Sequence, residues 1–133
     1  MKRVLVDTSV WVSFFRKSGG SAVQTIVQDA LLEGRVVTCW VVQAELLVGT
    51  RTVGGFERLN ALFSNLVHIP MGESLWDAVA RLGFELRRKG LTVPLPDLLI
   101  AQSALAGGCE LWHADRHYEA MSSQVTLANR SFL

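Results

Sequence analysis

Val4-Leu5-Val6-Asp7 puts a carboxylate directly behind three aliphatic residues, and the rest of the chain is read outward from that step. A short aliphatic run ended by a polar turn-former reads as a buried strand. The form returns at Arg35–Cys39, with Val36, Val37 and Thr38, and at Val67-His68-Ile69, which Pro70 closes. It returns again at Cys109–His113 and, as a last edge strand, at Val125–Leu127. Helical patterns separate these runs. Thr8 to Phe15 reads as a loop entering a short helix, and Ser21 to Glu33 carries Val23, Ile26, Val27, Ala30 and Leu31 at helical spacing before Gly34. Trp40–Val48 and Phe56–Leu66 read as further helices. Glu73–Lys89 bears a wide apolar stripe through Leu75, Val79, Leu82 and Leu86, with Arg87-Arg88-Lys89 at the favourable end of its dipole. Pro96 opens a helix to Ala106 with Gly107 as its stop. Strands alternating with helices predict an α/β fold: an α/β/α sandwich around a central, mainly parallel sheet of four or five strands, with residues 1–133 forming a single domain. Sites in such sheets form at the carboxyl ends of the strands.

Composition narrows the function. Half of the 133 residues are hydrophobic and 19% are charged, which excludes a disordered or acidic solvating segment. The net charge of +1, from 13 Lys+Arg against 12 Asp+Glu, excludes a uniformly cationic surface, so any nucleic-acid contact rests on a local patch. Cys39 and Cys109 are too few for a disulfide scaffold, which favours a reducing, cytoplasmic compartment. No apolar run reaches the roughly 18 residues of a membrane span, and the aliphatic stretch before Asp7 is too short for a signal peptide.

The informative residues are acids in apolar surroundings. Asp7 is the only charged residue between Arg3 and Arg16, Glu45 the only one between Arg35 and Arg51, and Asp97 the only one between Lys89 and Glu110. Burying an unpaired carboxylate costs several kcal/mol, and no lysine or arginine in these stretches offers compensation. A cation shared by several acids accounts for all of them together. Asp115, just past the strand Cys109–His113, is the natural fourth. Singly, each has a local explanation: Asp7 caps a turn through Thr8-Ser9, Asp97 sits in a first helical turn, and Asp115 is a turn acid. Glu45 has the weakest such explanation. Oxygen ligands point to Mg²⁺ or Mn²⁺. Zinc fits poorly, because the cysteines are isolated and His113 and His117 form a single His-x-x-x-His pair. There is no P-loop, nucleophile elbow or GxGxxG.

Taken in order, Val4-Leu5-Val6-Asp7-Thr8-Ser9, the lone Glu45, Pro96-Asp97-Leu98-Leu99-Ile100-Ala101 and Leu111-Trp112-His113-Ala114-Asp115-Arg116-His117-Tyr118 resemble a PIN domain, most closely the VapC-type toxins of toxin–antitoxin pairs. The resemblance covers essentially the whole chain. It implies a metal-dependent endoribonuclease with Asp7, Glu45, Asp97 and Asp115 as the acidic set, Mg²⁺ (or Mn²⁺) as cofactor, a homodimer, and a cognate antitoxin that occludes the site. Two departures stand out: His113 occupies a place where the family often has Thr or Ser, and His117 one where it often has a further acid.

On this reading Asp7, Asp97 and Asp115 hold one or two ions that bind the scissile phosphate and activate water, while Glu45 completes a second site or orients the water. Ser9 and His113 are candidate supporting residues behind the acids, and a histidine at 113 or 117 is a candidate contact to phosphate or water. Arg16, Lys17, Arg51, Arg87, Arg88, Lys89 and Arg116 are candidates for a basic rim on the RNA backbone. The tryptophans belong to the core or to a dimer contact, and Phe14, Phe15, Trp40 and Val41 exceed what one small core needs. Two other classes compete: a receiver- or phosphatase-like phosphoryl-transfer domain using Asp7, and a PIN-like binding module without chemistry.

Overall fold

The computed structural model describes residues 1–16 and 21–133; Lys17 and the turn at Gly19-Gly20 lie outside the described residues. Five strands form one sheet: β1 (Val4–Val6), β2 (Val36–Thr38), β3 (Val67–His68), β4 (Glu110–His113) and β5 (Asn129–Ser131). Their order is β3-β2-β1-β4-β5, and every pairing is parallel. The helices between them are α1 (Thr8–Phe15), α2 (Ser21–Leu32), α3 (Trp40–Val48), α4 (Val53–Ser64), α5 (Glu73–Arg88), α6 (Leu95–Gly107) and α7 (Arg116–Ser122).

The chain leaves β1 toward β2 and β3, then returns across the sheet to β4 and β5. Right-handed crossovers therefore put α1–α4 on one face and α5–α7 on the other. The reversal of direction opens a crevice between the carboxyl ends of β1 and β4, where open α/β sheets bind ligands. Val4, Leu5 and Val6 of the central strand are fully buried, as a strand covered on both faces requires. Among the described residues no helix is long and apolar enough to cross a membrane.

Several sequence expectations are corrected. The helix α1 starts at Thr8 with no intervening loop, because the Asp7 carboxylate accepts the Ser9 amide and caps it at once. The last strand is Asn129–Ser131 and not Val125–Leu127. Val125 and Leu127 pack on the core from a loop, while the polar edge strand is held by backbone bonds such as Leu111 N–H to Ala128 O and Phe132 N–H to His113 O. The stop of α6 is Gly108 rather than Gly107: Gly108 has φ of +62° and closes the helix in the left-handed conformation. Phe14 and Val41 pack against this chain's own core, whereas Phe15 and Trp40 remain 43% and 55% exposed.

A side chain at φ of +62° is strained, so Gly108→Ala is expected to destabilise the protein by about 1 kcal/mol in urea unfolding. Unchanged stability would contradict the role given to this glycine.

Candidate active site

Asp7 lies at the end of the central strand and is only 4% exposed. Its Oδ2 accepts from the Ser9 amide at 3.0 Å and from the Ser9 hydroxyl. Its Oδ1 accepts from the Tyr118 hydroxyl at 2.8 Å. Ser9 Oγ in turn accepts from the Ala114 amide at 2.9 Å, tying the segment after β4 to the start of α1. Tyr118 is fully buried, and burial followed by the charge of Asp7 pushes its hydroxyl far above the usual tyrosine range, which keeps it a donor.

Asp115 ends the β4 side of the crevice and caps α7, its Oδ1 accepting from the His117 amide at 2.8 Å. Asp97 stands in the first turn of α6, where Leu95 and Pro96 open the helix. Its side chain is 16% exposed. Burial raises the Asp97 carboxyl to about 6, with Asp115 and then Asp7 pushing in the same direction and His117 opposing. His117 Nδ1 lies 2.8 Å from Asp97 Oδ2 and 3.1 Å from Asp115 Oδ1. One donor atom each from Asp97, Asp115 and His117 fall within 4.8 Å of one another.

Glu45 departs from its expectation. It is exposed, and the Thr8 hydroxyl donates to its Oε1 at 2.8 Å. The apolar residues around it in sequence face the core from other sides of α3, where Val42, Gln43 and Leu46 are the buried positions. Burial therefore does not explain Glu45, although Thr8 holds it beside Asp7. His113 supports the site from behind the acids. It is fully buried, with Nδ1 accepting from the Asp115 amide at 3.2 Å and Nε2 donating to Asn129 Oδ1 at 3.0 Å. It cannot touch a phosphate; it positions the backbone of Asp115. Thr8, Tyr118 and Asn129 carry no signal in the sequence that marks them for the site, whereas His117 is marked there as a histidine where the family often has an acid.

The basic candidates are spread. Arg16, Arg51, Arg87, Arg88, Lys89 and Arg116 are all exposed, and Arg116 directly follows Asp115. Arg87 shares a hollow with Leu95 and Leu98 at the α6 end that carries Asp97. Arg88 is engaged with Glu85 at 3.8 Å and with the Phe84 ring. A mainly apolar groove of about 590 Å³ adjoins the acids, with Thr8 and Glu45 on its wall beside Val12, Phe15, Leu46 and Arg58.

The raised carboxyl of Asp97 has a consequence for stability. Its folded value of about 6 exceeds the ordinary aspartate value, so between about pH 4 and 6 the folded state holds the proton more tightly than the unfolded chain. Stability therefore falls as pH rises through that window and stays lower above it. With divalent ions chelated, Asp97→Asn is expected to be more stable than wild type at pH 7.5, by on the order of 1 kcal/mol, with the difference vanishing near pH 4. Parallel pH–stability curves for the two proteins would contradict this.

Comparison with known proteins agrees with this architecture. The family model described as PIN domain matches residues 4–123. The chain is 28% identical over 132 residues to VapC ribonuclease Mb1587 of Mycobacterium bovis and to ribonuclease VapC11 of Mycobacterium tuberculosis, covering 97% of this chain and 98% of each relative. Its fold is similar to a chain in the crystal structure of VapBC2 from Rickettsia felis bound to a promoter DNA fragment, with a TM-score of 0.79 at 20% identity and 98% coverage of both chains. A chain of FitAcB from Neisseria gonorrhoeae gives a TM-score of 0.74 at 17% identity, with 95% of each chain covered. With a family match spanning nearly its whole length, this chain belongs to the PIN domain family.

Proposed function

We propose that the protein is a divalent-metal-dependent endoribonuclease, the toxin of a toxin–antitoxin pair, that hydrolyses RNA phosphodiester bonds with Asp7, Glu45, Asp97 and Asp115 as its acidic set. The observation that carries this reading is the meeting of Asp97, Asp115 and His117 at the crevice where Asp7 ends β1. The ribonuclease names of the 28%-identical relatives support it.

The donor set fits a divalent ion: carboxylate oxygens predominate, and burial followed by the charges of Asp115 and Asp7 raises Asp97, a cost that a bound cation would relieve. Asp97 and Asp115 would hold it, with Asp7 beside them. Mg²⁺ is the leading cofactor and Mn²⁺ the second. When bound, the ion supplies positive charge to the scissile phosphate and acidifies the attacking water. The chain's own residues position everything else. Ser9 and Tyr118 keep the Asp7 oxygens in one orientation, and the His113–Asn129 pair holds the Asp115 backbone. Glu45, fixed by Thr8 on the open side, accepts a hydrogen bond or proton from water. Arg116 and the other exposed arginines bind the RNA backbone.

The antitoxin would lie in the groove beside Glu45 and present a basic side chain to the acids. Charge complementarity favours a guanidinium, whose fork pairs two carboxylates at once. The phosphoryl-transfer alternative is disfavoured because both Asp7 oxygens are already occupied by donors and the residue is buried.

The test is cleavage of structured RNAs by purified protein with Mg²⁺ or Mn²⁺, with EDTA, and with the protein encoded by the neighbouring gene. Cleavage is expected only with metal, falling at least about a hundredfold in Asp97→Asn or Asp115→Asn and stopping when the partner is added. Cleavage unaffected by EDTA or by either substitution would overturn the proposal.

A further inference from the structure

Among the described residues, His117 is the basic group in contact with the Asp97 and Asp115 carboxylates. Its Nδ1 is flanked by Asp97 Oδ2 at 2.8 Å and Asp115 Oδ1 at 3.1 Å. The ring is placed by the backbone as well, because the Asp115 oxygen that faces Nδ1 also accepts the His117 amide at 2.8 Å. A six-coordinate ion with bonds near 2.1–2.2 Å spaces adjacent donors about 3 Å apart and opposed donors about 4.3 Å apart. The separations of 2.8 and 3.1 Å from His117 Nδ1 to the two carboxylate oxygens fit adjacent positions on such an ion, and one donor atom from each of the three residues falls within 4.8 Å of the others.

We infer that His117 is a direct nitrogen ligand to the ion held by Asp97 and Asp115, and that this imidazole turns the selectivity of the site from Mg²⁺ toward Mn²⁺. The inference rests on the metal-dependent reading of the same site. An acid at this position would supply another hard, negatively charged oxygen, which suits Mg²⁺. A neutral imidazole removes that charge and offers a softer nitrogen, a trade that transition ions accept better than Mg²⁺ does. The competing account makes His117 an ion-pair partner that simply covers the acids. The two accounts differ in sign. If His117 only covers the carboxylates, removing it frees them and metal binds as tightly or more tightly. If His117 is a ligand, removing it weakens binding.

Mn²⁺ alone is titrated into the protein while the paramagnetic signal of the free aqua ion is followed, then competed with Mg²⁺, and the bound ion is examined by pulsed resonance for coupling to nitrogen-14. Wild type is expected to bind Mn²⁺ with nitrogen coupling and to prefer it to Mg²⁺. His117→Ala is expected to lose the coupling and to bind Mn²⁺ at least about tenfold more weakly, with a smaller effect on Mg²⁺. His117→Asp is expected to move the preference back toward Mg²⁺, and circular dichroism checks that both variants are folded. His113, the nearby histidine, is buried with both ring nitrogens engaged and contributes no coupling. Bound Mn²⁺ without nitrogen coupling, or undiminished affinity in folded His117→Ala, overturns the assignment and leaves the metal-dependent nuclease standing. Failure of wild type to bind Mn²⁺ or Mg²⁺ at all overturns both.

Discussion

Asp7 carries a carboxylate that is 4% exposed at the end of the central strand, and it is held there by donors from two other parts of the chain. The Ser9 amide and hydroxyl come from α1, and the Tyr118 hydroxyl comes from α7. Because the Ser9 hydroxyl also receives the Ala114 amide, one small network joins β1, α1, the exit of β4 and α7. Hydrogen bonds to a charged group contribute about 1.5–3 kcal/mol each, enough together to offset the several kcal/mol of burying it. Removing any of these donors would disturb the walls of the crevice along with the acid.

The same construction concentrates negative charge. Asp7 caps α1, Asp115 caps α7 and Asp97 stands in the first turn of α6. Each helix start favours its own acid by roughly 0.3–1 kcal/mol. The folded arrangement then brings the acids toward one crevice, and Asp97 rises to about 6, first through burial and then through the charges of Asp115 and Asp7, which its place at the helix start does not offset. Local capping and a shared cation are thus compatible accounts of these residues. The caps place the carboxylates, and the charge they gather would give a cation its binding energy.

Much of this was legible in the sequence because burial and charge conflict visibly there. Asp7 and Asp97, alone in apolar stretches, are buried or half-buried in the structure, and Asp115 follows a buried strand as expected. Glu45 is the exception, since an apolar neighbourhood along a helix includes faces that point to solvent. Hydrophobic patterning also misplaced the last strand: β5 is a polar edge, defined by backbone pairing that leaves no apolar signature. His113 and Tyr118 do their positioning through contacts between segments distant in sequence, such as Tyr118 to Asp7, which no local spacing reveals.

A divalent ion balancing the charge gathered between β1 and β4 would be directly visible by diffraction. The most direct measurement is an anomalous-difference map from crystals soaked in Mn²⁺. A peak bonded to Asp97 and Asp115, beside Asp7, is expected, and it is expected to be absent in the Asp97→Asn protein soaked in the same way. A map with no peak there, or one equally strong in the substituted protein, would contradict binding of the ion at this crevice.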